Sequence, residues 1–193
     1  MVLFWKRPSC FVQWTSCLFE IDGVEYYTAE QWMMASKARL FDDRATLEKI
    51  METMDPREQK ALGRKVRGFD AAEWERHGYD VVVTGNYAKF RQNPTFRQRL
   101  LDTGDKILAE ASPYDTEWGI GLHASDDDAL VQRRWQGKNK LGEALMEVRA
   151  QLREEAHEAF RLPDSGAVAM ETDGGNEEES DEDDTVGKHR PLK

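Results

Sequence analysis

Two residues of opposite charge, Glu30 and Lys37, lie seven positions apart in a segment with a helical pattern. At helical pitch they share one face with Met33, Met34 and Phe41. A carboxylate and an amine among methionines and an aromatic ring must be paired, or must lose hydration and shift their pKa values, as catalytic groups do. A structural ion pair or a solvated helix edge is the ordinary alternative for an isolated Glu/Lys couple. Further motifs must decide between these interpretations.

Two glycine-bearing segments add groups that suit a ligand. Residues 113–121 hold Asp115 and Trp118 where the backbone can approach a ligand closely and an aromatic ring can stack on a sugar or base. Gly137 and Asn139 precede a long amphipathic helix, so Asn139 is predicted to cap that helix, whose free amides suit an anion or a ribose hydroxyl. Taken alone, the first segment is also an ordinary turn and the second an ordinary cap.

Few other residues could carry chemistry. Trp74 lies among charged neighbours and is either a stacking surface or partly buried core. His77 and His123 are possible site residues, although a histidine is more often an ordinary surface residue. Cys10 and Cys17 are predicted to be free thiols. Because the sequence has no zinc-ligand spacing and no glycine-rich phosphate loop, it predicts no metal and no ATP or dinucleotide cofactor.

The elements that position these groups follow from periodicity and turn residues. Strand-like segments at 2–5, 11–14 and 18–27, with a hairpin turn at Asp22-Gly23, indicate a small N-terminal antiparallel sheet. Thr28 is predicted to begin the helix of Glu30 and Lys37, with Gln31 completing a capping box.

The remainder of the chain is predicted to be mostly helical. Residues 105–111 fit either a strand or a turn of helix. Helical patterns cover residues 43–54, 56–66, 71–90 with a break near Gly78, 94–102 and 139–160. The expected fold class is therefore α+β: a single, mainly helical domain with a small N-terminal antiparallel sheet.

Length and composition separate a domain from a tail. The chain has 193 residues, enough for one well-buried domain, which we assign to residues 1–160, and an appendage. Residues 164–193 lack aromatic residues and hold ten acidic and three basic residues, which predicts an acidic disordered tail. This tail accounts for −7 of the net charge of −10, so a phosphate-bearing or nucleic-acid partner remains compatible with residues 1–163.

The sequence contains no charged-then-apolar leader and no apolar stretch long enough to cross a membrane. We therefore expect an intracellular soluble protein, cytoplasmic or nuclear, without a membrane partner.

Six segments together resemble the successive blocks of the NADAR family, also called YbiA-like. They occur in the family's order and at plausible spacing, from about residue 3 to residue 152, and the tail lies outside them. The segments are 22–41 (DGVEYYTAEQWMMASKARLF), 84–90 (TGNYAKF), 101–104 (LDTG), 110–112 (EAS), 115–121 (DTEWGIG) and 135–142 (WQGKNKLG).

This resemblance implies an N-glycosidase that hydrolyses the bond between ribose C1 and an exocyclic amine. Some family members act on ribosylamino-pyrimidine phosphates of early riboflavin synthesis, and others remove ADP-ribose from guanine in nucleic acid. The form of the helix sequence and the lack of a fused riboflavin-synthesis domain favour ADP-ribose-bearing guanine in DNA or RNA as the partner. A small ribosylamine phosphate is the alternative substrate. A non-catalytic ADP-ribose binding module is the third possibility, against which the joint presence of Glu30, Lys37 and Asp115 argues.

By the same resemblance, catalytic positions fall on Glu30, Lys37 and Asp115. The family usually has a longer loop before the element at 12–14, where this chain has the short segment 6–10. Substrate-binding positions are expected at Gln13, Trp14, Trp74, Trp118, Gly119, Gly137 and Asn139.

Two reaction routes suit these residue types. Lys37, as a neutral amine, could exchange with the departing base and form a Schiff base that water later releases, while Glu30 or Asp115 moves protons. Alternatively, the carboxylates could stabilise an oxocarbenium-like centre and activate water directly.

Overall fold

The computed structural model describes residues 1–161, and the predicted acidic tail lies outside the described residues. The strands are β1 (Val2–Phe4), β2 (Phe19–Ile21), β3 (Val24–Tyr26) and β4 (Leu108–Glu110). The helices are α1 (Ala29–Leu40), α2 (Arg44–Glu52), α3 (Pro56–Gly63), α4 (Ala71–Gln92), α5 (Pro94–Leu101) and α6 (Lys140–Arg161), and two 3₁₀ turns cover Asp127–Leu130 and Gln132–Arg134. The described domain is thus α+β and mainly helical, as expected.

The strands form two separate pairs. β2 and β3 make the expected antiparallel hairpin, in which Asp22 and Gly23 both take positive φ values, 53° and 77°, as a tight hairpin turn requires. β1 instead pairs in parallel with β4, so segment 105–111 contains a strand rather than a turn of helix. A parallel partner this distant along the chain leaves no local pattern, because the pairing is set by the intervening helices.

The prediction of a strand at residues 11–14 is wrong. These residues form turns, because their carbonyl groups are used by helices rather than by a neighbouring strand. The Val12 carbonyl accepts a hydrogen bond from Lys89 Nζ at 2.9 Å, and the Gln13 carbonyl accepts one from the Glu30 amide at 3.2 Å. This segment, called the 12–14 strap below, therefore runs between α1 and α4.

The predicted break near Gly78 is also wrong, since α4 is continuous from Ala71 to Gln92. Gly78 is required by packing instead of by a turn. A Cβ atom there would lie 2.9 Å from Cε2 of the Trp74 ring, which covers the helix backbone at that point. The small residue lets Trp74 lie flat along its own helix.

Helix α1 lies at the centre of the helical layer and contacts α2, α3 and α4, while α6 packs on α4 and β4. Its start is fixed by Thr28, whose hydroxyl accepts a hydrogen bond from the Gln31 amide at 2.9 Å, as predicted. The Gln31 side chain does not return to the Thr28 amide as in a complete capping box. It accepts from the Tyr27 amide and donates to carbonyl groups at the end of α2, including that of Ile50. This buried amide ties α1 to α2.

Asn139 fixes β4 to the start of α6. Its side chain is only 2% exposed, and its backbone has a φ of 56°. Its Oδ1 accepts from the Glu110 amide at 3.0 Å and its Nδ2 donates to the Leu108 carbonyl at 2.9 Å. The side chain therefore extends the edge of β4 and does not cap α6 as the sequence predicted.

Replacing Asn139 with glycine tests this link. Asn139→Gly keeps the positive φ accessible but leaves the Leu108 carbonyl and the Glu110 amide without partners. We expect the free energy of unfolding to fall by about 2–4 kcal/mol in urea titrations. The exposed neighbour substitution Gln136→Ala should change it by less than about 0.5 kcal/mol. A loss for Asn139→Gly no larger than that of the control would contradict this role.

Candidate functional site

Glu30 is a buried carboxyl group at the first turn of α1. The side chain is only 5% exposed, and its Oε2 accepts a hydrogen bond from Trp14 Nε1 at 3.2 Å. Burial raises the pKa of Glu30 to about 7, against the opposing influence of Lys60 and of the Trp14 hydrogen bond. This carboxyl group can therefore both hold and release a proton near neutral pH.

The 12–14 strap holds Glu30 in this position. Lys89 is fully buried, and burial lowers its pKa to about 8 while its amine binds the Val12 carbonyl. One turn earlier on α4, Asn86 Nδ2 donates to Gln13 Oε1 at 2.9 Å. The strap is thus held by α4 on one side, and on the other side the indole N–H of Trp14 donates a hydrogen bond to Glu30.

Lys37 lies two turns further along α1, on the same face as Glu30. Burial, followed by the charge of Arg64, lowers the pKa of the Lys37 amine, while Glu30 opposes this shift. The Lys37 Nζ is 3.9 Å from the centroid of the Phe69 ring and 5.4 Å from that of Trp74. Its amine therefore has aromatic faces around it and no ion-pair partner among the described residues.

A second, partly buried carboxyl group comes from Glu110 at the end of β4. Burial raises the pKa of Glu110 to about 7, with further repulsion from Asp115 and Glu30. Lys60 of α3 partly offsets this for both glutamates, and its Nζ is 4.0 Å from Asp115 Oδ2. The carboxyl groups of the site are thus all influenced by the charge of Lys60, and they are those of Glu30, Glu110 and Asp115. Lys37 lies two turns after Glu30 on α1.

Asp115 uses its carboxylate for positioning. Its Oδ1 accepts from the backbone amides of Glu117 at 3.1 Å and Trp118 at 2.8 Å, and its Oδ2 faces Lys60. These bonds fix the turn that carries Trp118, which is half-buried against the core. Oδ1 is therefore occupied by two backbone amides, and Oδ2 faces the Lys60 amine at 4.0 Å.

The glycines expected to bind substrate lie at close backbone crossings. A Cβ atom on Gly119 would be 2.8 Å from the carbonyl oxygens of Asp115 and Glu110. A Cβ atom on Gly137 would collide with the Gly119 carbonyl. Both glycines, together with Asn139, bring the 113–121 loop against β4 and the start of α6, so their visible role is to build the site wall.

The Gln13 and Asn86 side chains each leave one buried polar atom unused. Among residues 1–161, Gln13 Nε2 and Asn86 Oδ1 find no hydrogen-bond partner, although both atoms are buried. A buried donor and acceptor without partners are costly unless water or a ligand meets them. Gln13 therefore remains the best-supported substrate-binding candidate of the strap.

The histidines lie apart from these groups. His77 Nε2 is 2.9 Å from Glu73 Oε1 on the exposed face of α4, and His123 is exposed with its ring near Ser125. Among residues 1–161, no three His, Cys, Asp or Glu side chains form a group that could hold a metal ion. Within that same range, no helix is long and apolar enough to span a bilayer.

Comparison with known families identifies the domain that carries these residues. The profile of the NADAR domain matches residues 3–153, which includes each of the site residues described above. The chain belongs to the NADAR family.

Relatives of this NADAR chain include several proteins named N-glycosidases. One from Acanthamoeba polyphaga mimivirus is 46% identical over 144 residues, covering 72% of this chain and 85% of its own. YbiA of Escherichia coli is 31% identical, covering 75% and 79%. A riboflavin biosynthesis protein of Vibrio vulnificus is 32% identical, covering 72% of this chain but only 34% of its own. The solved structure of Escherichia coli YbiA matches with a TM-score of 0.68 and 28% identity, over 81% of this chain and 87% of that chain.

Three residues of the NADAR site were missed by reasoning from sequence. Glu110 carries a signal, since a carboxylate ends an otherwise apolar strand, but that strand was itself uncertain. Lys60 and Phe69 have no local signal, because each reaches the site only through the packing of α3 and of the loop after it against α1.

The raised pKa of Glu30 predicts a pH-dependent stability difference. The folded state prefers protonated Glu30, so its contribution is complete below the ordinary pKa of 4.5 and is lost as pH rises through about 7. Glu30→Gln removes this loss. The variant should gain about 3 kcal/mol in unfolding free energy relative to wild type between pH 4.5 and pH 8, from the shift in pKa.

Urea unfolding at several pH values measures this difference. The control Gln136→Ala, an exposed substitution that removes no titratable group, should differ from wild type by an amount that does not change over the same range. A Glu30→Gln difference that is flat or of opposite sign would contradict the buried, proton-holding carboxyl group.

Proposed function

We propose that this NADAR chain is an N-glycosidase that hydrolyses the bond between ribose C1 and an exocyclic amine, and that its substrate is ADP-ribose joined to guanine in nucleic acid. The observation that carries the proposal is the pairing, on one face of α1, of a carboxyl group titrating near pH 7 with a lysine whose pKa is lowered. A binding module needs neither property. The N-glycosidase names of the relatives support the same reaction class.

Lys37 supplies the nucleophile in the proposed reaction. The ribosylamine ring opens to an imine at C1, and the neutral Lys37 amine adds to that carbon. The base amine then leaves with a proton, and C1 remains joined to Lys37 as a Schiff base. Water adds to C1, the C–N bond to Lys37 breaks, and ribose is released as its aldehyde while the amine is regenerated.

Glu30 and Glu110 perform the proton transfers. One must be protonated to deliver a proton to the leaving amine, and the other must be ionised to accept one from water. Two carboxyl groups that each titrate near pH 7 and repel one another meet this requirement. We assign Asp115 to holding the Trp118 turn and facing Lys60, because its Oδ1 already accepts from two backbone amides and its Oδ2 is directed at the Lys60 amine.

The groups around Lys37 support a substrate larger than a single sugar phosphate. Phe69 and Trp74 present aromatic faces to the amine, and Arg64 bears a charge that reaches Lys37. ADP-ribose carries an adenine ring for stacking and two phosphates for cationic groups. Gln13 Nε2, buried and unpartnered, would donate to a ribose hydroxyl or a base carbonyl.

A riboflavin intermediate is the second candidate. The relatives named as riboflavin biosynthesis proteins favour it, although their identity of 29–32% is lower than the 46% shared with the mimivirus N-glycosidase. A ribosylamino-pyrimidine phosphate has the same scissile bond, and its hydrolysis would use Lys37, Glu30 and Glu110 in the same roles.

The substrate is tested by incubating the protein with an oligonucleotide that carries ADP-ribose on guanine and following the products by mass spectrometry. We expect free ADP-ribose and the unmodified oligonucleotide. Release only from the ribosylamino-pyrimidine phosphate would replace this substrate with the second candidate. ADP-ribose binding without turnover of either compound would overturn the enzyme proposal in favour of a binding module.

Replacing Lys37 tests the covalent step. Lys37→Ala should lower turnover by about a hundredfold or more, because an amine nucleophile is lost. Borohydride added during turnover should trap an adduct that peptide mass spectrometry locates on Lys37. The control Lys49→Ala, on the exposed face of α2, should keep full activity and the adduct. Unchanged turnover of Lys37→Ala would exclude the Schiff base.

The two glutamates predict a narrow, bell-shaped dependence of kcat on pH, centred near pH 7. Activity falls at lower pH because the accepting carboxylate becomes protonated, and at higher pH because the donating carboxyl group ionises. Glu110→Gln should lower kcat and leave only one limb of the profile. Asp115→Asn should keep both limbs of the profile. If Asp115→Asn loses a limb and Glu110→Gln keeps both, Asp115 performs the proton transfer and Glu110 does not.

A further inference from the structure

A cluster of aromatic and cationic side chains lies on the surface outside the site already described. We call it the rim patch, and it consists of Trp5, Lys6, Tyr114 and His123. Tyr114 is 88% exposed, which is unusual for so large an aromatic side chain. No step of the reaction proposed above uses these residues.

The rings of the rim patch are grouped around Trp5. The Trp5 and Tyr114 ring centroids are 6.0 Å apart at an interplanar angle of 50°, and the His123 ring meets Trp5 edge-on at 5.3 Å. Lys6 Nζ lies 3.9 Å from the centroid of the Trp5 ring. The patch therefore offers flat π surfaces and a cation within one small area.

The rim patch is attached to the elements that carry the catalytic carboxyl groups. Tyr114 directly precedes Asp115, whose carboxylate faces Lys60. Trp5 directly follows β1, in which Phe4 is the register partner of Glu110, and the Phe4 carbonyl accepts from the Ala111 amide at 2.8 Å. Trp5 and Tyr114 are therefore each joined directly, through the chain, to segments that form the site wall.

The charges at the patch favour a polyanion. Lys6 and the adjacent Arg7 form no ion pair with any residue of the described range. In the nearby acidic segment, Asp128 pairs with Arg134, and the Asp126 carboxylate accepts a hydrogen bond from the His123 amide. Asp126 and Asp127 are both exposed, so the cations that phosphates would meet at the patch are Lys6 and Arg7.

We propose that the rim patch binds the unpaired nucleotides that flank the modified guanine in a single strand of nucleic acid. Tyr114 and Trp5 would stack on neighbouring bases, and Lys6 and Arg7 would contact the phosphates between them. Stacking of this kind tolerates any base sequence because every base has a π face. The inference rests on the proposed function, and it makes a strand, instead of a free mononucleotide, the preferred substrate.

Kinetics on two matched substrates test the proposal. One is a single-stranded oligonucleotide with ADP-ribose on a central guanine, and the other is the same modified guanosine without flanking nucleotides. Tyr114→Ala should lower kcat/KM on the oligonucleotide by about tenfold, mainly through KM, since one stacked base is lost. On the mononucleoside it should change kcat/KM by less than about twofold. Lys6→Gln should reduce the salt dependence of kcat/KM on the oligonucleotide, because one phosphate contact is lost. It should leave the salt dependence on the mononucleoside unchanged.

Two control variants separate stacking from a general surface effect. Tyr114→Trp keeps a large ring and should restore the wild-type KM on the oligonucleotide. Met54→Ala removes another highly exposed apolar side chain and should change neither reaction. Equal losses on the two substrates for Tyr114→Ala, or no loss on the oligonucleotide, would overturn the rim patch as a strand-binding surface.

Binding without turnover distinguishes this inference from the proposed function. Fluorescence anisotropy with an unmodified, dye-labelled single-stranded DNA should show binding that Tyr114→Ala weakens, and the matching duplex should bind less tightly because its bases are already stacked. If wild type cleaves neither modified substrate but still shows this pattern, the proposed function fails and the rim patch stands. If wild type cleaves the oligonucleotide while Tyr114→Ala binds and cleaves it equally well, the proposed function stands and the rim patch fails.

Discussion

The structure depends on burying the carboxyl group of Glu30 at the start of the central helix. A buried carboxylate without compensation is strongly unfavourable. Here the Trp14 indole donates to it, Lys60 lies across the site, and protonation near neutral pH removes the remaining charge. The 12–14 strap supplies the indole only because Lys89 and Asn86 hold it from α4. The groups that make Glu30 tolerable are therefore also the groups that make it chemically useful.

The opposite wall of the site follows from close backbone packing. Gly119 and Gly137 allow the 113–121 loop to lie against β4, and Asn139 ties β4 to the start of α6. Burial within this packing, followed by repulsion from Asp115 and Glu30, raises the pKa of Glu110 to about 7. The two glycines and Asn139 therefore help to set the pKa of Glu110, although we assign them no contact with the reacting bond.

Sequence reasoning succeeded where the controlling interactions are local. The Glu30–Lys37 stripe, the Thr28 cap and the Asp22-Gly23 turn each depend on neighbours within one or two turns of chain. It failed where side-chain packing or a distant element decides the structure. Lys89 of α4 binds the backbone of the 12–14 segment, and β1 pairs with the distant strand β4. Gly78 leaves space for the Trp74 ring instead of breaking α4. Glu110 lies in one of the family segments, but its local sequence does not reveal its role, since its chemistry depends on burial and on the charges of Asp115 and Glu30, which lie outside its strand.

The proposed mechanism depends on protonation of Glu30 near neutral pH, and carboxyl-selective NMR measures that protonation most directly. Protein labelled with ¹³C at the glutamate side-chain carboxyl groups would be titrated, with the Glu30→Gln spectrum identifying the Glu30 resonance. We predict a midpoint near pH 7 for that resonance, well above the ordinary glutamate value of 4.5. A midpoint near 4.5 would show an ordinary ionised carboxylate and would contradict the mechanism built on it.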